Sequence, residues 1–243
     1  MGTLDEHDTA TELDAQADAE LDSENDVDPA DETASENAAD EADDADETGE
    51  VDADVDPRFD GPFDYSEVDL DADDVERISF GPLVVTPFPG MNLQLHGDEE
   101  SEAIYAALAM YENSGLELAL FAAPRSGGLS AELREDTIEE AEQAGGSAEL
   151  GNGPFGPEVR RVLPVEGPEG EQLFHVSRIW LVEGPRWLLR GTLMGQAGMS
   201  EGEEPPADTF VEFFRNIVVR RDDAPRVPGE LITLALPDVP IEG

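Results

Sequence analysis

The chain has 243 residues, and 60 acidic residues against 13 arginines and no lysine give it a formal net charge of −47 at pH 7. Binding to nucleic acid or to an anionic membrane needs a basic surface, so this charge argues against both. The absence of cysteine excludes a disulfide framework and a thiolate metal site. The composition favours a protein partner of basic character, or a role of the acids in solubility alone.

The start of the chain lacks the positive and apolar regions of a secretory signal. Apolar runs also stay well below the roughly 18 residues that span a bilayer. We therefore expect a soluble, cytoplasmic protein.

The charge is distributed unevenly along the chain. Residues 1–76 carry 32 acidic residues and one arginine, a net charge of −31, whereas residues 77–243 carry a net charge of −16. The first segment has too few large apolar residues to repay the entropy of ordering it. We predict a disordered acidic tail over residues 1–58, a single domain over residues 77–237 and a C-terminal tail over residues 238–243.

Between tail and domain, residues 59–76 form an acidic segment with three aromatic residues, Phe59, Phe63 and Tyr65. The aromatic residues suit docking on the domain or on a partner. A linker is the interpretation we favour.

Apolar runs after residue 77 predict strands in hairpins, with turns at Pro89-Gly90 and Asn113-Ser114-Gly115. The predicted strands cover residues 83–88, 91–96, 103–111, 116–122, 147–150, 158–165 and 218–220. Alanines leave a helix possible over residues 103–111. An apolar segment over residues 231–236 suits docking across the sheet.

A further hairpin, over Leu173–Met194, contains both tryptophans of the chain and is predicted to lie at the centre of the core. Its turn is Glu183-Gly184-Pro185, and its second strand alternates apolar residues with Arg186, Arg190 and Thr192.

Two amphipathic helices accompany these strands. Ser130 is the predicted N-cap of the first, which ends at Gly145-Gly146, and Asp208 is the predicted cap of the second. The apolar positions of the second helix are spaced i, i+3, i+4 and i+7: Phe210, Phe213, Phe214 and Ile217. The pattern predicts an α+β domain with a mostly antiparallel sheet and both helices on one face.

Ser126-Gly127-Gly128, beside Arg125, precedes the first helix and resembles an anion cradle of free backbone amides. The segment lacks the spacing and the lysine of a phosphate-binding loop. A strand-to-helix turn that needs glycine is the simpler interpretation.

Arg186 and Arg190 lie on one face of a predicted strand, and with the other arginines of the domain they suit a carboxylate or phosphate ligand. Those other arginines are Arg125, Arg160, Arg161 and Arg178. The same arginines could instead hold the acidic tail or pair with the acids of the domain.

Sequence signals for catalysis or metal binding are weak, and we expect no catalytic residues, no metal and no cofactor. The domain's histidines, His96 and His175, lie in different strands without acidic partners at ligand spacing. Asp52–Asp56 and Asp69–Asp73 imitate the start of an EF-hand loop but fail at its sixth and twelfth positions.

Three stretches resemble the uncharacterised actinobacterial family of domain of unknown function 3710: FAAPRSGGLSAELRED at 121–136, GPRWLLRGTLMG at 184–195 and VVRRDDAPRVPGELITLALP at 218–237. The resemblance covers about residues 60–237 and implies no activity or cofactor. It singles out Arg125, Gly127, Gly128, Arg186, Trp187 and Arg190 for testing. By fold analogy, the order of elements also resembles the PsbP/Mog1-type sandwich, from which no function follows.

The leading hypothesis is a non-enzymatic protein-interaction module with an acidic tail. The alternative is a small-anion-binding domain that uses Arg125, the amides of Ser126–Gly128, Arg186 and Arg190, with Trp187 beside them.

Overall fold

The computed structural model of the chain describes residues 58–98 and 100–237. The predicted C-terminal tail, residues 238–243, lies outside the described residues, as do residues 1–57 of the predicted N-terminal tail over residues 1–58.

The larger of two sheets has seven strands, and every neighbouring pair is antiparallel. Its strands are β4 (Asn92–Gly97), β5 (Ile104–Tyr111), β6 (Ser114–Ala122), β7 (Ser147–Gly153), β8 (Gly156–Glu166), β9 (Gln172–Gly184) and β10 (Trp187–Gly195). They lie in the order β4-β5-β6-β10-β9-β8-β7. The predicted central hairpin is β9–β10, and β10 is indeed the middle strand.

A smaller sheet is built from four short strands in the order β1-β11-β3-β2. They are β1 (Phe63–Asp64), β2 (Ile78–Ser79), β3 (Leu83–Val85) and β11 (Val218–Val219). The predicted strands on either side of Pro89-Gly90 therefore belong to different sheets, because that turn carries the chain from the smaller sheet into β4.

The two helices are α1 (Leu129–Gln143) and α2 (Ala207–Arg215). The predicted fold class, α+β with mostly antiparallel strands, is confirmed. The predicted position of both helices on one face is wrong. Leu129 of α1 belongs to the same buried cluster as Ile179 and Leu181, whereas Phe214 of α2 packs against Trp180.

Successive residues of a strand point to opposite faces, so the helices cover opposite faces of the larger sheet. The uninterrupted apolar run over residues 179–182 is the sequence signal for a strand that is buried on both faces. Neither helix in the described part of the chain is long and apolar enough to cross a membrane.

The core on the α2 face is aromatic. The ring of Trp180 lies 5.1 Å from that of Phe155 and 5.3 Å from that of Phe214, both at tilted or edge-on angles. Aromatic pairs in this geometry contribute about 1 kcal/mol each beyond their buried area. The predicted apolar face of the second helix is confirmed, since Phe210, Phe213, Phe214 and Ile217 are all fully buried.

The C-terminal segment docks on the edge of this core, as predicted. Leu231 forms a bridge with Phe121 and Leu234 forms one with Ile104, and the Ile232 amide donates to the Leu120 carbonyl at 2.7 Å.

Residues that we assigned to the linker belong in part to the fold. Phe63 and Asp64 form β1, which pairs in parallel with β11, and Asp64 is buried. The folded region therefore begins before residue 77. Asp64 also caps a short 3-10 turn over Tyr65–Glu67 by accepting from the Ser66 amide at 3.0 Å.

Both predicted helix caps differ from those observed. α1 is preceded by Gly128 in the left-handed region, and Ser130 lies inside the helix. α2 is preceded by Pro206, so Asp208 falls in its first turn, where it suits the positive end of the helix dipole.

Candidate functional site

The glycine-rich loop before α1 is exposed, and Gly127 and Gly128 adopt left-handed φ angles of 71° and 99°. The backbone conformation of the loop is enough to explain why these two positions are glycine, and no bound ligand is needed for that. Residues with a side chain adopt positive φ angles only with steric strain. One free amide in the first turn of α1 is already bonded: the Ser130 amide donates to Glu183 Oε1. A Cβ at Gly127 would lie 3.6 Å from Glu183 Oε2. A carboxylate of the chain itself thus lies where the sequence predicted an external anion.

Arg186 occupies the second position of the two-residue turn between β9 and β10, with a φ of 65°. Its Nη2 donates to the Asp222 carbonyl at 3.1 Å and lies 3.4 Å from Asp223 Oδ1. Arg186 therefore faces the segment after β11. Arg125, by contrast, is exposed on the loop before α1.

Trp187 is fully buried and belongs to the core. Its indole Nε1 donates to Asp64 Oδ2 at 2.8 Å. Burial alone would raise the pKa of Asp64, but the hydrogen bonds from Ser66 and Trp187 and the nearby charge of Arg58 bring that pKa below its usual value. Trp187 thus links the central hairpin to β1.

Arg190 lies on the α1 face of the sheet, with its guanidinium 5.2 Å from the ring centroid of Phe121 and 3.8 Å from Glu117. Arg161 is nearby, and its pKa is lowered by burial and, to a smaller extent, by the charge of Arg190. Arg190 follows Arg186 by four strand residues, about 13 Å at 3.3 Å per residue. The structure therefore does not bring the predicted arginines into one cluster.

Arg160 and Arg178 pair with the buried Glu158. Glu158 also accepts from the indole of Trp180 at 2.8 Å, while Arg178 Nη1 donates to the carbonyls of Ser200 and Gly202 at 3.1 and 2.8 Å. Removing one member of such a buried pair typically costs 3–5 kcal/mol. This network ties the loop before α2 to the sheet and has a structural role.

A different set of arginines does converge, in a cavity of about 400 Å³ that we call the arginine pocket. Its lining residues are Gly81, Pro82, Arg220, Arg221, Asp222, Arg226, Ile232 and Thr233. The arginine pocket was not predicted from the sequence, although RRDDAPR at 220–226 holds three of the 13 arginines of the chain within seven residues.

Another feature missed from the sequence is an arm, which we define as residues 163–176 of the β8–β9 hairpin. Pairing of β7 with β8 ends at Val162, and pairing of β10 with β9 ends at Ser177. Beyond these two positions β8 and β9 pair only with each other. The arm is thus a two-stranded ribbon that extends from the sheet.

Comparison with protein families identifies the chain. The model of the family described as "Protein of unknown function (DUF3710)" matches residues 61–242. The chain belongs to the DUF3710 family. The DUF3710 region therefore includes β1 and Asp64, and its start agrees with the range of about residues 60–237 over which the sequence resembles the family.

Curated proteins give no match. Among solved structures, the DUF3710 chain is similar to a protein of Bacteroides thetaiotaomicron VPI-5482 determined at 1.50 Å, with 14% sequence identity and a TM-score of 0.33. The match covers 62% of this chain and spans half of the length of that protein.

Proposed function

We propose that this DUF3710 protein is a non-enzymatic protein-interaction module of the cytoplasm, and that it holds its partner through the arm. The single observation that carries the proposal is the apolar character of the arm on both faces. Phe174 is 62% exposed on one face, and Leu173 and Val165 are 44% and 42% exposed on the other.

The pairing register explains this distribution. Leu173 lies directly opposite Val165, and Phe174 lies opposite Pro164, so each face of the ribbon presents an apolar cross-strand pair. A two-stranded hairpin is marginally stable alone in water and gains stability by packing its apolar faces. Contiguous exposed apolar surface is a common mark of a protein interface.

The chemistry of the tip specifies the partner further. Glu166, Glu169 and Glu171 are exposed around the turn of the arm, and residues 163–176 contain no arginine or lysine. An apolar ribbon with an acidic tip fits an apolar groove with basic side chains at its rim. Charge complementarity of this kind accelerates encounter and selects the partner.

The test is a quantitative affinity capture from native cytoplasmic extract with the full chain as bait. The variant Leu173→Asp/Phe174→Asp places two charges on the arm, and it should lose its partner while keeping the wild-type melting temperature. Phe59→Asp is the matched control, because Phe59 is 79% exposed and lies outside the arm.

Retention of the same proteins by the arm variant would overturn the proposal. Analytical sedimentation of the purified chain shows whether the partner is a second copy of this chain. If it is, the wild type and Phe59→Asp should self-associate, and the arm variant should remain monomeric.

A further inference from the structure

We propose that the arginine pocket is a binding site for an oxyanion, either a carboxylate or a phosphate group. The pocket brings three guanidinium groups and one carboxylate, that of Asp222, together around a cavity of about 400 Å³, within a chain of net charge −47. Positive potential is therefore concentrated at this place, and the volume is within the range of small-molecule sites.

Arg220 supplies the donors that are free to bind a ligand. Its guanidinium lies 4.1 Å from the ring centroid of Tyr65, and none of the carboxylates in residues 58–98 and 100–237 forms an ion pair with it. A guanidinium stacked on an aromatic ring keeps its N–H groups available in its own plane, in the fork that suits carboxylate and phosphate.

Arg226 contributes a second unsatisfied donor. Its Nη2 donates to Asp222 Oδ2 at 3.2 Å, but its Nε is buried without a hydrogen-bond partner. A buried donor without an acceptor is unfavourable, so a shift of the Arg226 side chain that brings Nε to an oxyanion in the pocket is favoured.

Arg221 and Asp222 form the frame of the pocket. Arg221 is 6% exposed and donates to the carbonyls of Ala224 and Arg186 at 3.2 and 3.3 Å. Burial opposes ionisation of Asp222, but the hydrogen bond from Arg226 and the charges of both arginines lower its pKa below the usual value. Asp222 thus pairs with both Arg221 and Arg226, and Arg226 also lies 4.0 Å from Glu230. The charge of Arg220 is the one in the lining that no carboxylate of the described residues pairs with.

Two sources can supply the oxyanion: a free small anion, or the carboxylates of Glu50, Asp52, Asp54 and Asp56 of the same chain. These four acids alternate with other residues just before Arg58, where the described chain begins. Tyr65, seven residues after Arg58, contacts Arg220. The described chain therefore begins seven residues before a side chain that contacts a residue of the pocket lining.

The experiment is a calorimetric titration of the full chain with inorganic phosphate and with citrate, against sodium chloride of equal ionic strength. Arg220→Ala and Arg226→Ala should each raise the dissociation constant about tenfold, as expected for the loss of one charge-assisted hydrogen bond. Arg220 is exposed, so Arg220→Ala tests the site even if Arg226→Ala fails to fold.

The full-chain variant Glu50→Gln/Asp52→Asn/Asp54→Asn/Asp56→Asn separates the sources. Tighter phosphate binding by this variant than by the wild type identifies the chain's own carboxylates as competitors for the pocket, and equal binding identifies a free anion. Both results support the site.

Arg125→Ala removes the same charge from the loop before α1 and should leave binding unchanged. Absence of binding in both the wild type and the quadruple variant would overturn the proposal. The proposal would also be overturned if Arg220→Ala and Arg226→Ala bound phosphate as tightly as the wild type, or if Arg125→Ala lost binding. Substitutions in the arm leave this result unaffected, so the two proposals fail independently.

Discussion

At the scale of single residues, Trp187 packs directly against the backbone of Gly184. The two residues are opposite one another across the β9–β10 turn, and a Cβ at Gly184 would overlap the indole ring. Gly184 does not have a positive φ, and the residue of this turn that does is Arg186. Glycine is therefore required at position 184 for space, because the tryptophan occupies the volume of any side chain there.

Gly184→Ala should destabilise the protein by about 3 kcal/mol, because the buried indole must move to admit the methyl group. Urea denaturation followed by tryptophan fluorescence measures this loss. Gly151→Ala is the matched control, since a Cβ at Gly151 meets the partly exposed side chain of Arg160 at 3.1 Å rather than a fully buried ring. It should cost clearly less, about 1 kcal/mol or below, because the Arg160 side chain has room to shift. Equal effects of the two substitutions would contradict the packing argument.

At the scale of elements, α1 begins with a carboxylate from another element in place of a side-chain cap. Glu183 lies at the end of β9 and accepts from the Ser130 amide across 53 residues of chain. Its negative charge also suits the positive end of the helix dipole. The start of α1 is thereby coupled to the central hairpin.

Glu183→Ala should destabilise the protein by about 1 kcal/mol, the usual cost of losing an N-terminal cap. Glu183→Gln keeps a hydrogen-bond acceptor but not the charge, so its stability should lie between those of Glu183→Ala and the wild type. Thermal denaturation monitored by circular dichroism ranks the three proteins. Glu149→Ala removes an exposed carboxylate from β7 and serves as the control. If Glu149→Ala lost as much stability as Glu183→Ala, the capping role of Glu183 would be contradicted.

Elements that are defined by the spacing of apolar residues within a single stretch of chain were predictable from the sequence. The Phe210, Phe213 and Phe214 spacing defines α2 by itself, and the two tryptophans identify the central hairpin. The arm was not predictable in this way, because its limits depend on where the neighbouring strands stop pairing. Glu183 at the start of α1 and Asp64 beside Trp187 were missed because their partners lie 53 and 123 residues away.

At the scale of the whole molecule, carboxylates with lowered pKa values make stability depend on acid pH. Asp64 is one such group and joins β1 to the central hairpin through Trp187. Asp222 is another, and it pairs with Arg221 and Arg226 of its own segment. Each has a pKa below the unfolded value of about 3.9, so its contribution to stability is complete above that pH. The contribution is lost as the pH falls through the folded pKa.

We expect the melting temperature to fall as the pH decreases below about 4, and Asp64→Asn to make this fall shallower while lowering stability at pH 7. Thermal denaturation between pH 7 and pH 3 measures both effects. Asp60→Asn, an exposed position near β1, controls for the loss of one charge and should keep the wild-type profile. An unchanged slope in Asp64→Asn would contradict the role of this carboxylate.

The parallel pairing of β1 with β11 has a consequence for synthesis of the protein. Phe63 pairs with Val218, so the smaller sheet cannot close until the residues through β11 have left the ribosome. The bridges of Leu231 and Leu234 to the larger sheet form later still. Contacts this distant in sequence slow folding and leave apolar strands exposed on the nascent chain. Because most of the acidic segment over residues 1–76 is translated before the strands of both sheets, we expect its charge to keep the unfinished chain in solution until β11 has been made.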